Sequence, residues 1–109
     1  MSKANYFQRG ESLDYVNHTT EKIEALTIVP LVSRIGIAGD DIAPGEMGVI
    51  HVSGVFEIQK TATTAIPMGT IVYYDGTGIA TTASGNTQAG YAAADAAAGD
   101  TTMIVKLLG

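Results

Sequence analysis

Residues 45–60, Gly-Glu-Met-Gly-Val-Ile-His-Val-Ser-Gly-Val-Phe-Glu-Ile-Gln-Lys, constrain the fold most. Val49–Val52 and Val55–Ile58 are β-rich runs on either side of Gly54, and β-branched side chains fit a pleated, half-buried surface. An isolated Gly inside such a pattern marks a bulge or a close approach of another backbone. The stretch therefore predicts one long, bent strand, opened by Pro44-Gly45 and closed at Gln59. Gly45, Gly54 and Gly99 are the expected turn or bulge positions.

The remainder reads as short strands separated by breakers. Leu13–Val16 predicts a strand. Glu21–Ala25 could start a helix capped by Thr20, but it is too short and gives way to Leu26–Val29. Pro30 makes that run an edge strand or a strand junction, and Leu31–Ala38 predicts the next strand. Thr70–Tyr74 and Ile79–Thr82 flank Asp75-Gly76-Thr77-Gly78, an Asp-Gly hairpin signal. Thr87–Ala94 and Thr101–Leu108 complete the set. Ala92–Ala98 is the one stretch with high helix propensity, but Gly90 and Gly99 confine it to a length at which helices are marginal. The expectation is an all-β chain of about seven to nine strands, either β-barrel-like or a β-sandwich.

Residues 36–50 and 90–104 match at a constant offset of 54: Gly36 with Gly90, Ala38 with Ala92, Asp41 with Asp95, Gly45 with Gly99 and Ile50 with Ile104. This predicts two equivalent hairpins with Asp41 and Asp95 at similar loop positions. The competing reading is coincidence in a Gly/Ala-rich sequence.

With 109 residues, one domain is expected: a β domain over 11–109 preceded by an arm over 1–10. The net charge is −5, which argues against a general nucleic-acid binder. It is unevenly spread: residues 1–10 carry +2 from Lys3 and Arg9, and the rest carries −7. With no Cys, disulfides and thiolate metal sites are excluded. No apolar run reaches the ~18 residues of a membrane span, and the N-terminus lacks the apolar region of a secretory signal. Synthesis in the cytoplasm is expected. Few side chains are large, so stability is expected to lean on self-association.

Catalytic signals are missing. None of the six Lys and Arg residues follows a Gly, so there is no phosphate-cradling loop of the Gly-Lys-Ser/Thr type. Gly76-Thr77-Gly78 sits in a hairpin. Asp40, Asp41 and Glu46 could hold Ca²⁺ but lack the ligand spacing of a calcium loop, so a solvated acidic turn is the better reading. His18 and His51 are far apart in sequence, and no Gly-x-Ser-x-Gly elbow occurs. Phe56, Tyr73 and Tyr74 could stack bases, but their neighbours Glu57 and Asp75 are acidic, which favours packing. No catalytic, metal or cofactor-binding residue is expected.

An ordered set of residues carries a resemblance. It runs Asn5-Tyr6-x-Gln8-x-Gly10, Gly36-Ile37-Ala38, Ile42-Ala43-x-Gly45-Glu46, Gly54-Val55-Phe56-Glu57-Ile58-x-Lys60, Gly69-x-x-Val72-Tyr73-x-Asp75 and Ala98-Gly99-Asp100. In order and spacing it resembles the small capsid cement, or head decoration, proteins of tailed phages, some of which carry a recombinase label. Between residues 17 and 35 the chain departs from the usual pattern, with Glu24-Ala25 and Pro30 in place of a Gly-Asp turn and a Val-rich strand. The resemblance implies a non-enzymatic β module on the outer surface of the virion. There it would bind the major capsid protein across subunit junctions, without direct contact to nucleic acid or membrane. A recombination or nucleic-acid accessory role is the alternative, and the missing phosphate loop and the acidic charge weigh against it.

Capsid junctions offer threefold and twofold positions, so a homotrimer is expected first and a dimer second. The arm is expected to lie against the capsid or a neighbouring copy, with Lys3 and Arg9 meeting acidic groups and Tyr6 and Phe7 filling apolar pockets.

Overall fold

The structure, a computed structural model, describes residues 2–6, 8 and 10–107. These residues form nine strands and no helix: β1 (Ser12–Val16), β2 (Ile28–Pro30), β3 (Ile35–Ala38), β4 (Met47–His51), β5 (Val55–Gln59), β6 (Ile71–Tyr74), β7 (Ile79–Ala80), β8 (Thr87–Ala92) and β9 (Thr102–Leu107). They make two antiparallel sheets, ordered β1-β4-β3-β2 and β5-β9-β8-β6-β7. The sheets do not close on each other, so the arrangement is sandwich-like and the barrel alternative falls. The sheet edges are blunted in ways natural sheets commonly use: β2 ends in Pro30, β1 and β5 carry Asp14 and Glu57, and the two-residue β7 is covered where Thr61 N and Ala62 N donate to Ile79 O at 2.9 and 3.1 Å.

Residues 45–60 are not one bent strand. β4 and β5 lie in different sheets, and the chain passes between them at Val52–Gly54, where Gly54 adopts φ +119°. Gly54 is thus a joint between sheets rather than a bulge within one. The bulge lies elsewhere, between Val72 and Tyr73 in the β6–β8 ladder. Gly45 takes φ +79° in the turn before β4, and Gly99 lies in the turn before β9 without a positive φ. The strand expected from Leu31 starts only at Ile35, because Leu31 and Arg34 close a turn (Leu31 N to Arg34 O, 2.7 Å). Ala92–Ala98 forms no helix.

The repeat is larger than the matched hairpins. Both sheets use the order 1-4-3-2, a Greek-key order, and their registers coincide pair by pair. In the first sheet Ser12 pairs with His51, Leu13 with Ile50, Asp14 with Val49, Tyr15 with Gly48 and Val16 with Met47. In the second, Val55 pairs with Lys106, Phe56 with Val105, Glu57 with Ile104, Ile58 with Met103 and Gln59 with Thr102. Val29 pairs with Gly36, and Val72 with Gly90. Turn hydrogen bonds repeat as well. Val52 N donates to Glu11 O at 3.0 Å, and Leu107 N to Gly54 O at 2.9 Å. The first two strands of each unit are offset by 43 residues, as Val29 and Val72 show, and the third by 54, as Gly36 and Gly90 show. The difference is the inserted β7 hairpin, which has no counterpart in the first unit. The fourth strands are offset by 55, as Ile50 and Val105 show, so Ile50 corresponds to Val105 and not to Ile104, and the constant offset of 54 ends at the turn before them.

Each sheet has two faces, because paired residues share a side and neighbours along a strand alternate. Face a holds Leu13, Ile50 and Ala38 in the first sheet, and Phe56, Val105 and Ala92 in the second. Face b holds Ser12, His51, Ile37 and Ile28 in the first, and Val55, Lys106, Tyr91 and Ile71 in the second. The two units pack unlike face to unlike face. Ile28, Ile35 and Ile37 from face b of the first sheet join one core with Ile58, Val72, Met103 and Val105 from face a of the second. Burial of one such side chain stabilises by at most about 1.5–3 kcal/mol. A second, smaller cluster, Val29, Ala38, Ile50 and Val52, lies on face a of the first sheet.

One buried polar residue follows the first strand of each unit, at equivalent places. Asn17 is fully buried and donates from Nδ2 to Glu21 O and Ile42 O, both at 2.8 Å. Its Oδ1 accepts from Thr19 N at 2.9 Å. Lys60, 6% exposed, donates from Nζ to Ala62 O at 2.8 Å and to Ala98 O at 3.3 Å. Both tie the loop after the first strand to the body of the unit through backbone carbonyls, and their own buried polar groups would be costly to leave alone.

Candidate functional site

The acidic turns are occupied by backbone. Asp41 Oδ1 accepts from Ala25 N at 2.8 Å, and Asp95 Oδ1 accepts from Met68 N at 2.7 Å, so the two aspartates hold equivalent turns. Asp100 Oδ2 accepts from Ala97 N at 2.8 Å. Asp75 orders the β6–β7 hairpin. Its Oδ2 accepts from the Thr61 hydroxyl at 2.6 Å, and its Oδ1 from Gly78 N and Thr77 N at 2.9 Å each. These bonds hold its carboxyl below the ordinary value of 3.8, the Thr61 hydroxyl contributing most. Among the described residues no three His, Asp or Glu side chains gather as a metal site. His18 is exposed, and His51 stacks on Phe56 with ring centroids 6.3 Å apart. Tyr74 packs against the larger core and donates to Gly76 O at 3.0 Å.

What the surface offers is apolar contact. A cleft of about 520 Å³ opens along the seam between the units, lined by Leu26, Ile28 and Ile37 on one side and Phe56, Ile58 and Tyr74 on the other. Glu57 and Thr77 sit at its rim. A second hollow shares Leu26 and Phe56 and adds Glu11 and His51. The two form a continuous groove with apolar walls and acidic margins.

Leu26 stands at the junction of both hollows, and its backbone is strained. It takes φ +68° as the only described non-glycine residue with positive φ, and it is 72% exposed. Its counterpart in the second unit is Gly69, with φ +93°. The turns are otherwise alike. Leu26 N donates to Ala38 O, and Gly69 N to Ala92 O, both at 2.8 Å. Thr27 N to Glu24 O and Thr70 N to Pro67 O are both 3.2 Å. A left-handed conformation costs a residue with a Cβ roughly 1–2 kcal/mol, so the first unit carries a strain that the second avoids. Sequence reading missed Leu26. The signal lay in Ile23-Glu-Ala-Leu-Thr-Ile-Val29 against Ile66-Pro-Met-Gly-Thr-Ile-Val72, at an offset hidden by the inserted hairpin.

Of the four arm residues singled out in the sequence, Lys3 and Tyr6 are exposed, Tyr6 at 77%, in a segment without regular structure. Phe7 and Arg9 lie outside the described residues. The structure brings neither Lys3 nor Tyr6 to the groove.

The phage cement protein family matches residues 7–107, nearly the whole chain. The chain belongs to the phage cement protein family. No curated protein and no solved structure matches it. Membership gives the chain a structural role in the phage capsid and makes it a virion-associated protein. No helix among the described residues is long and apolar enough to cross a membrane.

Proposed function

We propose that this cement protein binds the outside of the assembled phage head and stabilises junctions between major capsid subunits, as a homotrimer. The family match over residues 7–107 carries the reading. The surface supports it: an apolar groove, with a strained and exposed Leu26 at its mouth. In this reading the groove and the arm are the contacts. Lys3 and Arg9 meet acidic groups on the capsid, and Tyr6 and Phe7 fill shallow apolar pockets there. Exposed ion pairs are worth only about 0–1 kcal/mol each, so the aromatic residues supply most of the arm's affinity. Ordering the arm costs entropy, and many weak staples on one shell sum to resistance against expansion.

The test mixes the purified chain with undecorated heads and measures binding and the temperature at which the heads rupture. Saturable binding with a raised rupture temperature supports the proposal. Heads that neither bind the chain nor gain heat resistance refute it.

A further inference from the structure

The tandem units pack unlike face to unlike face, and such an arrangement leaves one of each face without a partner sheet. Inside the chain, face b of the first sheet covers face a of the second. Face b of the second sheet is left at the surface: Val55 is 56% exposed and Ile71 51%, beside half-buried Tyr91 and Ile104. Face a of the first sheet is covered over Val29, Ala38, Ile50 and Val52, which are buried, and opens only along β1. Leu13 is 40% exposed, and a hollow of about 240 Å³ lined by Tyr15, Ile23 and Val29 opens there. In the second unit the inserted hairpin contributes Ile79, fully buried in the core and bridged to Lys60. The first unit has no such hairpin.

We infer that copies of this protein associate head to tail, face b of the second sheet in one copy covering the open β1 side of face a of the first sheet in the next. The occupant is a second copy because the chain already contains this pair of faces in contact, in matching register. The seam can be mapped residue by residue. Ile28 and Ile37 share a cleft with Phe56 and Ile58 inside the chain; their counterparts Ile71 and Tyr91 would meet Leu13 and Tyr15 of the next copy. His51 shares a hollow with Gly54 and Phe56; its counterpart Lys106 would meet Glu11 and Leu13 of the next copy. Charge agrees with this placement, since Lys106 already extends over the Tyr91 ring, 6.0 Å from its centroid, and Glu11 is exposed. Head-to-tail contacts close into a ring when the rotation between copies permits. The inference rests on self-association as proposed above and names the surface used.

The test uses the full chain with Ile71→Lys or Leu13→Lys, both at exposed positions, each checked for a native β spectrum. Sedimentation is expected to show that each variant alone associates at least tenfold more weakly than the parent. An equimolar mixture should form dimers, because one intact contact remains between an Ile71→Lys copy and a Leu13→Lys copy. Loss of assembly in one variant but not the other, or no dimer on mixing, overturns the inference. For copies assembled only on heads, Leu13→Cys/Ile71→Cys, whose thiols are the only ones in the chain, is treated with a short bismaleimide. Linked multimers in the double variant, and not in either single variant, support the contact. Decorated heads without such links overturn it and leave the cement reading intact. Links in solution without binding to heads do the reverse.

Discussion

Replacing Leu26 by Gly should stabilise the fold and weaken its contacts. Removing the left-handed penalty returns about 1–2 kcal/mol. Against this, the added freedom of a glycine in the unfolded chain takes back roughly 0.4–1 kcal/mol. Little packing is lost, because the side chain is 72% exposed. The net is a gain of about 0–1.5 kcal/mol, a Tm unchanged or higher by up to roughly 12 °C at the usual ~4–8 °C per kcal/mol for a domain near this size. Full burial of a Leu is worth about 1.5–3 kcal/mol, so losing an interface contact at Leu26 should weaken binding to undecorated heads about fivefold or more. Thermal unfolding by circular dichroism and a binding isotherm on heads measure the two effects. A Tm that falls by several degrees refutes the strain argument. Unchanged binding refutes a contact at Leu26.

Gly90→Ala and Gly36→Ala should differ although the positions are equivalent. A Cβ at Gly90 would lie 1.9 Å from Lys106 O, whereas at Gly36 its nearest neighbour is Ile50 Cδ1 at 2.9 Å. Denaturant unfolding should show a loss of at least about 3 kcal/mol at Gly90, where backbone must move, and about 1–2 kcal/mol at Gly36, where a side-chain tip yields. The Asp75 carboxyl titrates below its unfolded value, so its stabilisation is complete above 3.8 and is lost as pH falls through the depressed folded value. NMR titration should show the Asp75 midpoint rising in Thr61→Val, and an unmoved midpoint would remove the Thr61 hydroxyl as its main cause. A chain starting at Gly10 should fold normally yet bind heads more weakly than the full chain. Tyr6→Ala with Phe7→Ala should reproduce most of that loss and Lys3→Ala little, and equal binding by the shortened chain would reduce the arm to a frayed terminus.

The alternation of β-branched residues and Gly, Pro and Asp-Gly turns made the strands legible, because period-two burial is local. The match of Gly36–Gly45 to Gly90–Gly99 placed Asp41 and Asp95 in equivalent turns, as their bonds to Ala25 N and Met68 N show, but its extension to Ile50 and Ile104 missed the register by one residue. What stayed hidden was sheet membership. Val49–Val52 and Val55–Ile58 look continuous, since the period does not change at Gly54; only tertiary packing assigns them to different sheets. The full extent of the repeat was masked because the β7 hairpin shifts the offset from 43 to 54. Leu26 carries no warning in its own identity, and only its alignment with Gly69 exposes the strain.

The central claim is that this cement protein sits outside the head across capsid junctions. An electron cryomicroscopy reconstruction of heads mixed with the full chain, compared with undecorated heads, tests it most directly. The account predicts added density on the outer surface, each copy fitted by two stacked Greek-key sheets and each cluster of copies touching more than one capsid subunit. Density on the inner surface, or copies each seated on a single subunit away from any junction, would contradict it.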